Sequence, residues 1–130
     1  MNINDYIVQI ESLINSFPIV SSYNLTIDRK TDDIVFISGN IEFRDGSILD
    51  FKEFLENTEQ GIEKYKYGYN YRISSNILFR YDNAPDPRAK ELKSFPYHKH
   101  LNNNEITESK QVDLKNVLEE IEKTCLFKEE

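Results

Sequence analysis

Tyr65-Lys66-Tyr67-Gly68-Tyr69-Asn70-Tyr71-Arg72 sets an aromatic residue at every second position. Strand side chains point alternately to two faces, so a period of two marks a strand with one apolar and one polar face. The same chemistry recurs on either side. Ser74-Ser75-Asn76 predicts a turn into a partner strand from Ile77 to Asp82. Upstream, Tyr23, Leu25 and Ile27 alternate with polar residues before Lys30-Thr31-Asp32-Asp33 turns the chain. Ile34 to Phe43 is a further strand, Asp45-Gly46 a type I′ hairpin turn, Ile48 to Leu55 the returning strand, and Asn57 to Gly61 a polar loop. The register of the 65–73 and 77–82 strands stays open: a three-residue loop sets Arg80 opposite Asn70, a two-residue loop opposite Tyr69. The reading is an antiparallel meander of about five strands.

Different periods bracket the sheet. Ile3, Tyr6, Ile7, Ile10, Leu13, Ile14 and Phe17 recur at spacings of three and four, a helical stripe capped by Asn2 or Asn4 and ended by Pro18. Leu114, Val117, Leu118 and Ile121 repeat that spacing in a second helix, started by Asp113 or Ser109 and ending before Lys128-Glu129-Glu130. Between sheet and last helix, Asn83-Ala84-Pro85-Asp86-Pro87 excludes a central strand or mid-helix, and residues 102–110 read as loop. The class is therefore α+β, with an N-terminal and a C-terminal helix covering one face of the sheet. A chain of 130 residues, 38% hydrophobic and 30% charged, fits one domain spanning 1–130. No apolar run suits a membrane span, Met1-Asn2-Ile3-Asn4-Asp5 has no signal-peptide character, and the single cysteine, Cys125, forms no internal disulfide. These features predict a soluble cytoplasmic protein, with Cys125 a small buried hydrophobe of the last helix.

A net charge of −7 argues against nucleic acid until its distribution is read. Residues 64–100 hold Lys64, Lys66, Arg72, Arg80, Arg88, Lys90, Lys93 and Lys99 against Asp82, Asp86 and Glu91, a net +5 that leaves −12 to the rest. Both histidines fall in this basic, tyrosine-rich strip. The tyrosine stripe reads first as the core face of its strand, with stacking of RNA bases as the alternative. Its opposite face would then carry Lys64, Lys66, Asn70 and Arg72.

His98-Lys99-His100 is the sharpest local signal. In an extended segment its imidazoles share a face and Lys99 opposes them. Paired histidines serve as general acid and base, or as two ligands of a divalent metal with Asp82 as the third. Arg80-Tyr81-Asp82-Asn83 ends a strand sixteen residues earlier, where Arg80 can bind phosphate and Asp82 orient a histidine. Each motif has a plainer reading as surface histidines or a turn initiator. No glycine-rich phosphate loop, cysteine pair or recognisable nucleophile setting competes with them.

Arg80-Tyr81-Asp82-Asn83-Ala84-Pro85, then Phe95-Pro96-Tyr97-His98-Lys99-His100, then Ser109 and the closing helix, resemble the TumE-like toxins of bacterial and archaeal toxin–antitoxin pairs. Members usually carry a histidine pair directly after the Ala-Pro and another histidine before the last His-Lys-His; here Asp86, Pro87 and Tyr97 stand in those places. The resemblance implies a cytoplasmic toxin partnered by a helix-turn-helix antitoxin and acting on RNA. The expectation is metal-independent cleavage with His98, His100 and Asp82 as the catalytic group. Substrate contacts are expected from Arg80, Lys99, Arg72, Asn83 and Lys66. The alternative is a non-catalytic nucleic-acid or antitoxin-binding module.

Overall fold

The computed structural model describes the backbone of residues 1–129 and the side chains of residues 1–124. Helix α1 (Ile3–Asn15) leads into strands β1 (Val20–Arg29), β2 (Ile34–Phe43), β3 (Ile48–Thr58), β4 (Gly61–Ile73) and β5 (Asn76–Asp82). A 3₁₀ turn at Pro87–Ala89 follows, then β6 (His98–Leu101), β7 (Ile106–Glu108) and helix α2 (Leu114–Glu129). The strands form one antiparallel sheet in chain order. The architecture is the expected α+β meander between two helices, with seven strands where about five were expected. The two additions come from the segment read as histidines and loop. His98–Leu101 runs extended against β5, and the chain then reverses with Asn104 at φ 70°, a conformation asparagine tolerates.

Local chemistry explains the boundaries. Asn2 and Asp5 form a reciprocal capping box at α1. Of the two candidate starts for α2, Asp113 acts, its carboxylate accepting from Asn116 N at 2.9 Å. That helix runs on to Glu129 instead of stopping before the Lys-Glu-Glu tail, and the Cys125 side chain lies outside the described residues. The Asp45-Gly46 hairpin is not type I′, since Gly46 alone takes positive φ (86°) and Phe43 N donates to Ser47 O at 2.9 Å across a three-residue loop. The 57–61 loop contracts to a two-residue hairpin, with Thr58 paired to Gly61.

Both helices cover the same face. Ile10 and Ile14 of α1, and Leu114, Val117, Leu118 and Ile121 of α2, join the core of Ile37, Leu49, Tyr67, Tyr69 and Tyr71. Burying each such side chain contributes about 1.5–3 kcal/mol. Among the described residues no helix covers the other face, and none is long and apolar enough to cross a membrane. Among the described residues Glu53 is the one fully buried acid of the core, bound by the Tyr6 and Tyr69 hydroxyls, with Lys64 Nζ 3.8 Å away.

Two bulges decide which residues reach the uncovered face. Phe54 pairs with Lys66 but Leu55 with Lys64, leaving Tyr65 as the extra residue. The stripe therefore splits: Tyr67, Tyr69 and Tyr71 are buried, while Tyr65 is half-exposed beside Phe54. Lys64, expected on the polar face with Lys66, turns inward and donates at 2.7 Å to both the Tyr69 hydroxyl and Val112 O. Burial lowers its pKa, partly offset by Glu53. In the second bulge, Ile73 pairs with Asn76 across a two-residue loop, yet Tyr71 pairs with Phe79, so Leu78 is extra. The loop alone would set Arg80 opposite Tyr69, on the core face. The bulge sets it opposite Asn70 and carries Arg80 and Asp82 onto the uncovered face.

Candidate functional site

Register brings the two sequence motifs together. Asp82 of β5 pairs with His98 of β6, and Arg80 with His100, so four candidate side chains occupy adjacent positions on the uncovered face. The β6 strand makes this geometry, because residues two apart in an extended chain point the same way.

Three side chains meet at the centre. His98 Nε2 lies 2.9 Å from Asp82 Oδ1, His100 Nε2 lies 3.3 Å from Asp82 Oδ2, and the two Nε2 atoms are 3.1 Å apart. Lone pairs alone cannot sit this close, so the cluster needs a bridging proton or a cation. His98 Nδ1 stands 2.8 Å from Pro96 O, which assigns the Nδ1 hydrogen to that bond and leaves Nε2 to face the carboxylate. Asp82 also accepts from Arg80 Nε at 2.9 Å and from Ala84 N at 3.0 Å.

Access separates the histidines. His98 is fully buried and Asp82 nearly so, whereas His100 is partly open and lines a cleft of about 750 Å³ with Arg80, Asp82, Ala84, Asp86 and Asn102. Burial lowers the His100 pKa, with His98, Arg80 and Arg88 adding to the effect and Asp82 opposing it. His100 therefore favours its neutral form, which can accept a proton. Asp86 stays on the cleft wall with its pKa lowered by hydrogen bonds from the backbone and side chain of Arg88.

The other expected contacts divide. Lys66 is on the uncovered face, its Nζ 5.5 Å from the Phe54 ring. Arg72 shares that face but binds Asp50 at 2.6 Å and Ser74 O at 2.8 Å. It stands about 13 Å along β4 from Gly68, the partner of Asp82, and so does not join the cluster. Lys99 faces the opposite way, as the alternation around the histidines requires. Its Nζ pairs with Glu120 of α2 at 3.0 Å and lies 5.0 Å from the Phe79 and Tyr81 rings. Burial works to lower the Lys99 pKa, but hydrogen bonds to Glu120 and Tyr81 carry it upward. Asn83 is no cleft ligand either: its amide accepts from Tyr67 N at 3.0 Å and donates to Tyr65 O at 3.1 Å, replacing a strand partner beside the first bulge. The basic strip is thus no single surface, because Lys64 and Lys99 belong to the helix-covered side.

Lys52 and Asn70 are not among the expected substrate contacts. Both line a smaller pocket on the uncovered face that Arg80 also lines. The alternation around Phe51 and Leu55 gave the signal for Lys52, but it lies outside the 64–100 strip.

A family model described as Toxin TumE matches residues 10–125, most of the chain. No curated protein and no solved structure gives a significant match.

Proposed function

The chain belongs to the TumE toxin family, and from that premise we propose that it is the toxin of a toxin–antitoxin pair and cleaves single-stranded RNA without a metal. The observation that carries the reading is the convergence of His98 Nε2, His100 Nε2 and the Asp82 carboxylate at 2.9–3.3 Å beside an arginine-lined cleft. His100 alone of the two histidines meets the cleft, so it exchanges protons with substrate. His98 and Asp82 are positioning residues that hold its ring and share its proton. Arg80 anchors the phosphate and stabilises the charge that grows on it.

In the reaction, the ribose 2′-oxygen attacks phosphorus as its proton passes to the cluster. The bond to the 5′-oxygen breaks, and that oxygen takes a proton back from the cluster. The products are a 2′,3′-cyclic phosphate and a 5′-hydroxyl, and the cluster returns to its starting charge.

A second reading has its own support. Three donor atoms at these separations suit a divalent ion as two imidazoles and a carboxylate, and the His98 Nδ1 contact with a backbone carbonyl is the usual outer support of a metal-bound histidine. Against it, Arg80 Nε lies 2.9 Å from the would-be carboxylate ligand. The partner is an antitoxin, which we take to be a helix-turn-helix protein whose basic surface meets the acidic remainder of this chain.

The test is inducible expression of the wild type beside His98→Ala, His100→Ala and Arg80→Ala, reading growth and RNA integrity, with purified protein assayed for cyclic-phosphate ends. Cleavage that survives chelation and is lost in His100→Ala supports the metal-free reading. Loss on chelation with recovery on adding a divalent metal establishes the second. Intact RNA under both conditions leaves a binding module.

A further inference from the structure

The uncovered face holds a second cavity, of about 290 Å³, one strand away from the histidine cleft. Its floor is small because Ser38 and Gly68 stand where neighbouring strands carry larger residues, and Lys52, Asp50, Asn70 and Phe36 rise around it. Arg80 lines both cavities, so whatever Arg80 holds in the cleft has a direct continuation into the pocket.

The wall chemistry is specific. Lys52 offers a cation, and among the described residues no ion pair engages it. Asp50 is neutralised by Arg72 at 2.6 Å. Asn70 contributes an amide whose Oδ1 is buried without a hydrogen-bond partner, a costly state that a ligand donor would relieve once the amide turns about its last torsion. Phe36 adds an apolar wall. A planar ring with a polar edge, tethered to an anion at Arg80, meets these requirements. From β4 to β6 is two strand spacings, about 10 Å, which one nucleotide covers from phosphate to base. A peptide would satisfy the amide but has no phosphate for Arg80 and Lys52.

We propose that this pocket is a nucleobase subsite, taking the base of the nucleotide next to the scissile phosphate, with Asn70 reading its edge and Lys52 meeting the adjoining phosphate. The proposal rests on the RNA-cleavage reading of the neighbouring cleft. It implies that the enzyme discriminates between bases and requires single-stranded substrate, because a base stacked within a duplex cannot enter the pocket.

Gly68 is the steric probe. A Cβ there would meet Lys52 Cε at 3.4 Å and an Arg80 terminal nitrogen at 3.8 Å, ordinary contacts, so alanine enters without disturbing the protein while filling the floor. The experiment measures cleavage kinetics of wild type, Gly68→Ala, Gly68→Val and Asn70→Leu on single-stranded RNA hexamers differing only in the base beside one cleavable linkage. Thermal unfolding of each variant verifies folding. We expect wild-type kcat/KM to differ roughly 5- to 150-fold among bases, the range of one hydrogen-bonded base edge. In the variants that preference falls towards unity and KM rises more than kcat falls, with the pH profile unmoved. Wild-type base preference retained in folded Gly68→Val and Asn70→Leu overturns the subsite while leaving cleavage standing. Equal cleavage of all bases by wild type also overturns it. If no hexamer is cleaved by wild type, the underlying reading has failed instead. Loss of antitoxin co-purification in Gly68→Val, with RNA kinetics unchanged, assigns the pocket to the protein partner and likewise overturns the proposal.

Discussion

Replacing Asp82 with asparagine tests the cluster by its energetics. The carboxylate is nearly buried and takes four contacts, from His98 Nε2, His100 Nε2, Arg80 Nε and Ala84 N. An asparagine can keep its oxygen towards Ala84 N, but its NH₂ then faces the Arg80 Nε–H, donor against donor. The Arg80 contact is partly solvated, its side chain being 39% exposed, so its loss costs at most about 1 kcal/mol. The buried His98 contact shares Oδ1 with Ala84 N, so it keeps its geometry but loses an ionised acceptor, at about 1–1.5 kcal/mol. The longer His100 contact adds little. Together Asp82→Asn should destabilise by about 2 kcal/mol, on the order of 7 °C in Tm for a domain of this size. Urea unfolding followed by circular dichroism measures it, with an unchanged m-value showing that the native state keeps its compactness. RNA cleavage should fall roughly 10²- to 10⁴-fold, beyond what the lost stability explains at 25 °C. A loss below about 0.5 kcal/mol with normal cleavage would refute the reasoning, because a buried carboxylate holding two histidines cannot be neutralised so cheaply.

Three further outcomes follow from particular contacts. The lowered His100 pKa means the unfolded chain binds its proton more readily, so this residue's share of stability is lost as pH falls below about 6.5 and is constant above it. His100→Ala should flatten that limb in urea titrations, and the acid limb of wild-type cleavage should lie below about 6.5. Lys99→Ala should leave RNA affinity and its salt dependence unchanged while lowering stability by about 1 kcal/mol, whereas Arg80→Ala should reduce the slope of log K against log salt by about 0.7, both read from fluorescence titrations. Glu53→Gln should cost about 3 kcal/mol in urea unfolding, because it strands buried Lys64; adding Lys64→Met should recover part of that loss.

Periodicity was enough for the α+β class because it depends on short-range geometry. The three- and four-residue spacing of Ile3 to Phe17 and of Leu114 to Ile121 admits only a helix with one apolar face, and the alternation at Tyr67, Tyr69 and Tyr71 admits only a strand with one. The shared face of His98 and His100 was legible for the same reason, since i and i+2 in an extended chain have no other arrangement. That argument placed Lys99 on the far side as well, although charge counting drew it into the substrate set.

Tertiary structure alone decided which strands those residues pair with and on which face they emerge. Tyr65 carries the same local signal as Tyr67, yet one bulge turns it outward and buries Lys64 in its place. The two-residue turn at Ser74-Ser75 would by itself put Arg80 and Asp82 among the core tyrosines; the extra residue at Leu78 rescues them by one step of register. A bulge is the whole sheet's solution to keeping charges out of the helix-covered core and apolar rings within it, a balance summed over every paired residue. Nothing in the neighbouring sequence marks that position. The residue types of the site were therefore set by the chain itself, whereas their meeting at one point depended on burial across the sheet.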